Sequence, residues 1–340
     1  MIMHIAQIWA RSLSQLASAI GKCTFAAAAA LLLNSCAEYG YVRITGYAQG
    51  GTYTVQADLS GTKEKPEHLK AHIDSILTEI DNAASGYNKS SVLSRFNAGE
   101  SIERNAIFEQ LCSLGDRYCE TTGGAVDVWS APLFDVWGFG FTRDSLPSEA
   151  ALGAAKALCK QHKKVNFNAI AQGYSSDLVA EYLRKRGVKN MLVDIGGEMY
   201  AQGVNPSGKN WTIGIDTPED GNFNPGEKLS SICTLPATPC GIVTSGNYRK
   251  FYLKDGKKYA HTIDPRTGYP VTHNLLSATI ISKDPDSARN ATDADAYATF
   301  CMVVGLEEAQ RFINSNPHLD AILIYDEGGQ MKIWRSDSIE

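Results

Sequence analysis

The sequence predicts an α+β protein of mixed sheets and packed helices, and three observations carry that prediction. Segments of helical period and strand-like segments alternate in mixed order after residue 36, with few clean βαβ units. Hydrophobic residues make up 44% of the 340, enough for a substantial core, and the 30 Gly and 12 Pro are ordinary usage. No low-complexity linker and no repeat of fixed period interrupts the chain, so disordered and fibrous classes are excluded. The formal net charge of −5 argues against nucleic acid as a partner, because phosphate neutralisation needs a basic face. An anionic small ligand stays compatible with this charge, given a nest of backbone N–H groups or a divalent cation.

The N-terminus reads as a leader. Residues 1–35 carry Arg11 and Lys22, no acidic residue, and a largely apolar run from Cys23 to Leu33. A bilayer span needs about 20 such residues, so the run suits the core of a signal peptide instead. Leu33-Asn34-Ser35-Cys36 resembles a bacterial lipobox, with Asn34 the less usual residue. The expectation is a leader over 1–35 and a mature chain over 36–340. Cys36 is then lipidated and anchors the chain to a membrane, inner membrane favoured, facing the periplasm. Ordinary secretion with Cys36 incidental is the alternative.

The elements follow in order. Tyr41–Asp58 alternates and is rich in β-formers. Residues 66–84 place apolar side chains at helical spacing behind an N-terminal Pro. A second helix is expected over 103–122, closed by Gly123-Gly124. Two more are expected over 147–162 and 174–186. Strands over 190–194, 211–216 and 277–282 precede a helix over 286–304. Residues 321–325 and 331–335 close the chain as a hairpin. Six cysteines lie after Cys36. Cys112 and Cys119 are seven apart on one helix, too distant to bridge, whereas Cys233 and Cys240 flank a Pro-containing loop that a disulfide could close.

Four constellations could carry chemistry, and each also has a plain structural reading. Gly123-Gly124-Ala125-Val126-Asp127, with Trp137-Gly138-Phe139-Gly140 beyond it, lets backbone approach a ligand and offers flat apolar surface. It also reads as a helix cap running into a buried strand. Val165–Tyr174 reads as a strand entering a helix, a junction that leaves backbone groups free for a ligand or ion. Thr244–Arg249 and Tyr259–Gly268 gather His261, Asp264, Arg249 and Arg266 around one turn. Histidine beside carboxylate and arginine suits proton transfer next to a phosphate, although Asp264-Pro265-Arg266-Thr267 is also ordinary turn chemistry. Finally, Asp295 and Thr299 are four apart and share one face of an Ala-rich helix. A carboxylate and a hydroxyl there suit a hard cation such as Mg²⁺. Asp293 is expected to point away into solvent.

Taken in order, these blocks resemble the ApbE family, the FAD:protein FMN transferases. Gly51-Thr52 matches the family's Met-Gly-Thr, with Gly50 where Met is usual. Ser85-Gly86-Tyr87 and Ser94-Arg95-Phe96-Asn97 match the next block, followed by Gly124–Asp127 and Trp137–Gly140. Asn166–Gly173 stands where D-L-G-G-I-A-K-G is usual. The segments 244–249, 261–268 and 295–299 complete the set. The resemblance implies an ApbE-like fold of two closely associated subdomains. It implies an enzyme that splits FAD with Mg²⁺, attaches FMN to a Ser or Thr hydroxyl of an acceptor protein, and releases AMP. By the same resemblance, Tyr87, Ala125, Val126, Asp127, Asn166, Gln172 and Ile263 contact FAD. Ala169, Asp295 and Thr299 hold Mg²⁺, and His261 takes the acceptor's proton. Gln172 for Lys and Asn166 for Asp depart from the family where FAD is gripped. The implied acceptors are subunits of ion-translocating redox complexes. An FAD pyrophosphatase and a non-enzymatic FAD-binding lipoprotein are the alternatives.

Overall fold

The computed structural model describes residues 39–139, 146–219, 222, 226–247, 251–254 and 257–339, with 251–254 and 257–260 as backbone alone. The expected leader over 1–35, Cys36, Gly140, Tyr248 and Arg249 lie outside the described residues.

Strands β1 (Tyr41–Ala48) and β2 (Gly51–Asp58) form a hairpin. Gln49 and Gly50 turn it at φ of 53° and 80°, the left-handed pair that a two-residue turn requires. Strand β2 then pairs with β3 (Met191–Ile195), which turns through Gly196-Gly197 into β4 (Glu198–Gln202). A separate hairpin, β5 (Thr212–Asp216) and β6 (Leu229–Thr234), precedes β7 (Cys240–Gly246). Short pairs β8 (Phe251–Lys254) with β9 (Lys257–Ala260), and β10 (Ile263–Asp264) with β11 (Tyr269–Pro270), lead to β12 (Leu275–Ser282). Strands β13 (Leu319–Glu327) and β14 (Gln330–Arg335) close the main sheet, whose order is β1-β2-β3-β4-β7-β12-β13-β14. Every pairing in it is antiparallel.

The helices are α1 (Pro66–Ala84), α2 (Val92–Asn97), α3 (Ala106–Thr121), α4 (Ala131–Val136), α5 (Glu149–Cys159), α6 (Ala171–Lys185), α7 (Asn290–Val304) and α8 (Leu306–Ser315). Helix α3 starts later than its pattern predicts because the Asn105 side chain accepts the Phe108 N–H at 2.9 Å and caps it there. On one face of the sheet, α1 and α6 cover β1–β3 through Leu69, Ile73, Leu77, Val179 and Leu183. Further along that face, Phe108, Phe167, Tyr174 and Phe300 pack beside Val243 and Ile280. Each such buried side chain contributes about 1.5–3 kcal/mol. The opposite face is covered by the β5–β6 hairpin, through Trp211, Ile213 and Cys233 against Ile242, Ile281 and Ile322. A smaller cluster of Leu133, Trp137, Leu152 and Ala155 gathers α4 and α5 around Ile263. Two expected strands are therefore absent. Residues after Gly124 enter a 3₁₀ turn (Val128–Ser130) and α4, and Val165–Phe167 joins no ladder. Asn97 stands in for a neighbouring strand, donating to Val165 O and accepting its N–H, both at 2.8 Å. All six described cysteines are free thiols, Cys233 and Cys240 included, and both of those are buried. Among the described residues no helix is long and apolar enough to cross a membrane.

Candidate active site

Helix α7 is the spine of the site. Its side chains are buried on nearly every face, so it runs through the interior rather than over it. It can lie so close to its neighbours because two glycines leave room. A Cβ on Gly241 of β7 would fall 2.2 Å from Asn290 O, and one on Gly173 of α6 would fall 2.4 Å from Ala291 O. Gly173 lies in the first turn of α6, where the N–H has no partner within the helix, and it donates to Asp295 Oδ2 at 3.1 Å. The N-terminus of α7 has no cap from its own chain neighbour Arg289. Asp177 of α6 supplies it, accepting from Ala291 N at 3.1 Å, Thr292 N at 2.8 Å and Thr292 Oγ1 at 2.6 Å.

A cleft of about 340 Å³ opens beside α7, and Asp295, Thr299, Met302 and Val303 form one wall. Loop residues Ala125, Val126, Asp127 and the aromatic rings of Phe134 and Phe139 form another. Asn166 and Ala169 come from the segment before α6, and Thr244, Ser245 and Gly246 from the end of β7. His261, Thr262 and Ile263 close it from the β9–β10 connection, and Tyr87, 79% exposed, stands at its mouth. Thus ten of the eleven expected site residues within the described chain line one cleft. The eleventh, Gln172, is not among the lining residues. Its amide nitrogen lies over the β3–β4 turn, 2.3 Å from where a Gly196 Cβ would stand.

Local hydrogen bonds fix the lining. Asp127 caps the 3₁₀ turn by accepting the Trp129 N–H at 2.8 Å, and burial raises its carboxyl above the usual range. Asn166 donates its N–H to Val128 O at 2.8 Å and accepts that of Asn168 at 2.9 Å. Thr262 donates to Asn247 Oδ1 at 2.5 Å. Burial pushes the Asp295 carboxyl upward, with the charge of Asp177 acting in the same direction and the Gly173 N–H opposing. A cation beside Asp295 would reverse that shift. Asp295, Thr299 and Ala169, which line the cleft together, can offer a carboxylate, a hydroxyl and a backbone carbonyl, all hard oxygens of the kind that suits Mg²⁺. Among the described residues no group of three His, Cys, Asp or Glu side chains forms a metal cluster, so neutral oxygens must complete such a site.

One expectation is corrected. Asp293 does not point into solvent: it is 7% exposed and accepts from Arg117 at 2.7 Å and from Tyr118 and Ser287 hydroxyls at 2.6 Å. Within the expected cluster around the turn, Asp264 and Arg266 do come together, both carboxylate oxygens binding the guanidinium at 2.9 Å. Sequence reasoning missed Glu198 as a cleft residue and Asp177 as the cap of α7, whereas Thr244 and Ser245 belong to a block it had singled out. The Gly196-Gly197 pair, a turn signal directly before Glu198, could have found the first of these.

The family model for the ApbE family matches residues 49–323. A relative from Vibrio cholerae described as an FAD:protein FMN transferase is 30% identical over 336 residues, 93% of this chain and 97% of its own length. Another of the same description from Escherichia coli strain K12 is 31% identical over 297 residues, covering 80% and 81% of the two chains. Among solved structures, a flavin transferase ApbE from Vibrio cholerae superposes at a TM-score of 0.74 with 30% identity, over 88% of this chain and 97% of that one. The apo flavinyl transferase ApbE of Pseudomonas stutzeri gives a TM-score of 0.75 with 30% identity, over 87% and 95%. With the family model spanning most of the chain, relatives about 30% identical over most of their length and the fold in agreement, this chain belongs to the ApbE family.

Proposed function

We propose that this protein transfers the FMN portion of FAD to a Ser or Thr hydroxyl of an acceptor protein, releasing AMP. The observation that carries the reading is one cleft holding both His261 and the oxygen set of Ala169, Asp295 and Thr299. Its relatives' description as FAD:protein FMN transferases supports it. The aromatic and backbone lining at Ala125–Val128, Phe134 and Ile263 suits a flat flavin ring. A divalent cation such as Mg²⁺ on the Ala169, Asp295 and Thr299 oxygens would supply charge neutralisation for the pyrophosphate. His261 takes the proton of the acceptor hydroxyl, whose oxygen bonds to the FMN-side phosphorus. The bond from that phosphorus to the bridging oxygen breaks, and the oxygen leaves with AMP.

Lipidation at Cys36 would hold this cleft near a membrane on its periplasmic side, favouring acceptors that are subunits of ion-translocating redox complexes. The test mixes the protein with FAD, Mg²⁺ and a purified Thr-bearing subunit of such a complex, following AMP and the acceptor's mass. Acceptor gaining the mass of FMN with stoichiometric AMP is expected. FMN and AMP without labelled acceptor would make it a pyrophosphatase, and no turnover of FAD would make it a binder.

A further inference from the structure

We infer that Asp177, outside the cleft, is a positioning residue that sets the metal affinity of the site by docking the N-terminus of α7 onto α6. The inference rests on the proposed placement of a divalent cation at Ala169, Asp295 and Thr299. Asp177 is 1% exposed, and its carboxylate takes two backbone N–H groups and one hydroxyl of α7's first turn. These are groups that a helix end leaves without partners, and Arg289 does not cap them. Asp295 follows Thr292 by three residues, so the docked turn is the one that carries the carboxylate into the cleft. On the other side of the joint, α6 begins two residues after Ala169 and donates Gly173 N–H to Asp295. Asp177 lies one turn beyond Gly173 on that same helix. Two of the three oxygen donors therefore lie on α7 and the third immediately before α6, and the register of these two helices is held by Asp177 and by close packing at Gly173. Loosening the joint changes the spacing of a cation's ligands, which a small, octahedral ion such as Mg²⁺ tolerates poorly. The flavin-facing wall at 125–139 belongs to other elements and keeps its shape.

The experiment uses the purified protein with Asp177→Asn, Thr292→Val and Asp295→Ala variants. Mn²⁺ binding is followed by electron paramagnetic resonance, with Mg²⁺ as competitor, and FAD binding by flavin fluorescence in chelator. Asn at 177 turns an acceptor oxygen into a donor facing N–H groups, and Val at 292 removes only the 2.6 Å hydroxyl bond. Asp177→Asn should weaken Mn²⁺ binding at least tenfold and Thr292→Val severalfold, each leaving metal-free FAD affinity within about twofold. Raising Mg²⁺ should restore most of the transfer rate of both. Parent-like Mn²⁺ binding in Asp177→Asn overturns the inference, as does equal loss of metal and FAD binding. Where Asp177→Asn does not fold, parent-like metal binding in Thr292→Val overturns it. If the parent binds no Mn²⁺ that Asp295→Ala abolishes, the metal assignment itself fails, a result separate from the other two.

Discussion

Replacing Gly173 by Ala tests whether the two helices that frame the site are held at contact distance. The added methyl would stand 2.4 Å from Ala291 O, 2.8 Å from Ala291 C and 2.9 Å from Asp295 Cβ. Two of these atoms are backbone of α7, and α7 cannot retreat towards the sheet, because Gly241 already admits Asn290 and Ala291 where a Cβ would not fit. Helix α6 must move instead. Opening the shortest contact to 3.0 Å, below which real Cβ contacts are essentially absent, separates the pair by about 0.6 Å. Overpacking of this kind costs about 1–3 kcal/mol, or a fall in Tm of roughly 1.5–5 °C for a chain of this length. The Gly173 N–H would also draw away from Asp295, and because a shift of about 1 Å can cost roughly 10²-fold in rate, transfer should slow by about tenfold or more. Gly153→Ala is the control. It lies on α5 with nothing within 4 Å of the added methyl, so it should leave activity intact and add up to about 1 kcal/mol of stability. The assays are calorimetric melting and FMN transfer on both variants. A Gly173→Ala protein that melts and turns over like the parent would refute the close-approach reasoning.

Asp295→Ala should nearly abolish Mg²⁺-dependent FAD cleavage in a folded protein, and Thr299→Ala should act in the same direction more weakly; a flat Mg²⁺ titration identical to the parent's removes Asp295 from the site. His261→Ala should leave FAD and Mg²⁺ binding near normal while slowing transfer by at least about 10²-fold, the lower range of general base catalysis. Transfer at the parent rate would falsify its role as base, and joint loss of stability and FAD affinity would make it structural. His273 gives a pH prediction. Its Nδ1 accepts the Leu275 N–H at 3.3 Å and its Nε2 donates to Met302 O at 2.9 Å, so the ring is held neutral and burial lowers its pKa below 6.5. A depressed pKa contributes stability that is present above pH 6.5 and lost as pH falls through the folded value, so the parent's Tm should drop on acidification more steeply than that of His273→Gln. Equal slopes below pH 6.5 would exclude His273 as the cause. Cys36→Ser should release the protein from membranes or leave its leader uncleaved, and a processed variant that fractionates with the parent would count against the lipid anchor.

Much of the site was legible because its chemistry sits in short blocks. Asp295 and Thr299 share a helical face whatever the tertiary context, and they do line the cleft. The long helices were legible for the same local reason. What escaped depends on partners distant in sequence. The solvated reading of Asp293 failed because Arg117 and Tyr118, on α3, reach it across the fold. Val165–Phe167 has the composition of a strand, yet the side chain of Asn97 occupies the edge where a strand would pair. Gln172 occupies a position where the resemblance implies a cofactor contact, but its amide lies over the Gly196 turn and it is not among the residues that line the cleft. Asp177 looks like a solvated residue on a helix of negative mean hydropathy, and only the approach of α7 makes it a buried cap.

The pairing of β2 with β3 has a kinetic consequence. It joins Tyr53 to Ile195 and Ala57 to Met191, across well over a hundred intervening residues. The β1–β2 hairpin can form early, since its contacts are local, but its inner edge must wait until β3 has been synthesised and brought back. Strand β7 then joins β4, and β12 joins β7, so the middle of the sheet is completed from the second half of the chain. Closing such loops before their contacts reward it makes for slow folding. The cleft draws on residues from Tyr87 to Val303, so it cannot be complete before α7 has been made and docked. A chain emerging from its N-terminus would therefore stay incapable of holding FAD until almost all of it had emerged. Flavin loading should accordingly lag the appearance of helical signal in a refolding experiment.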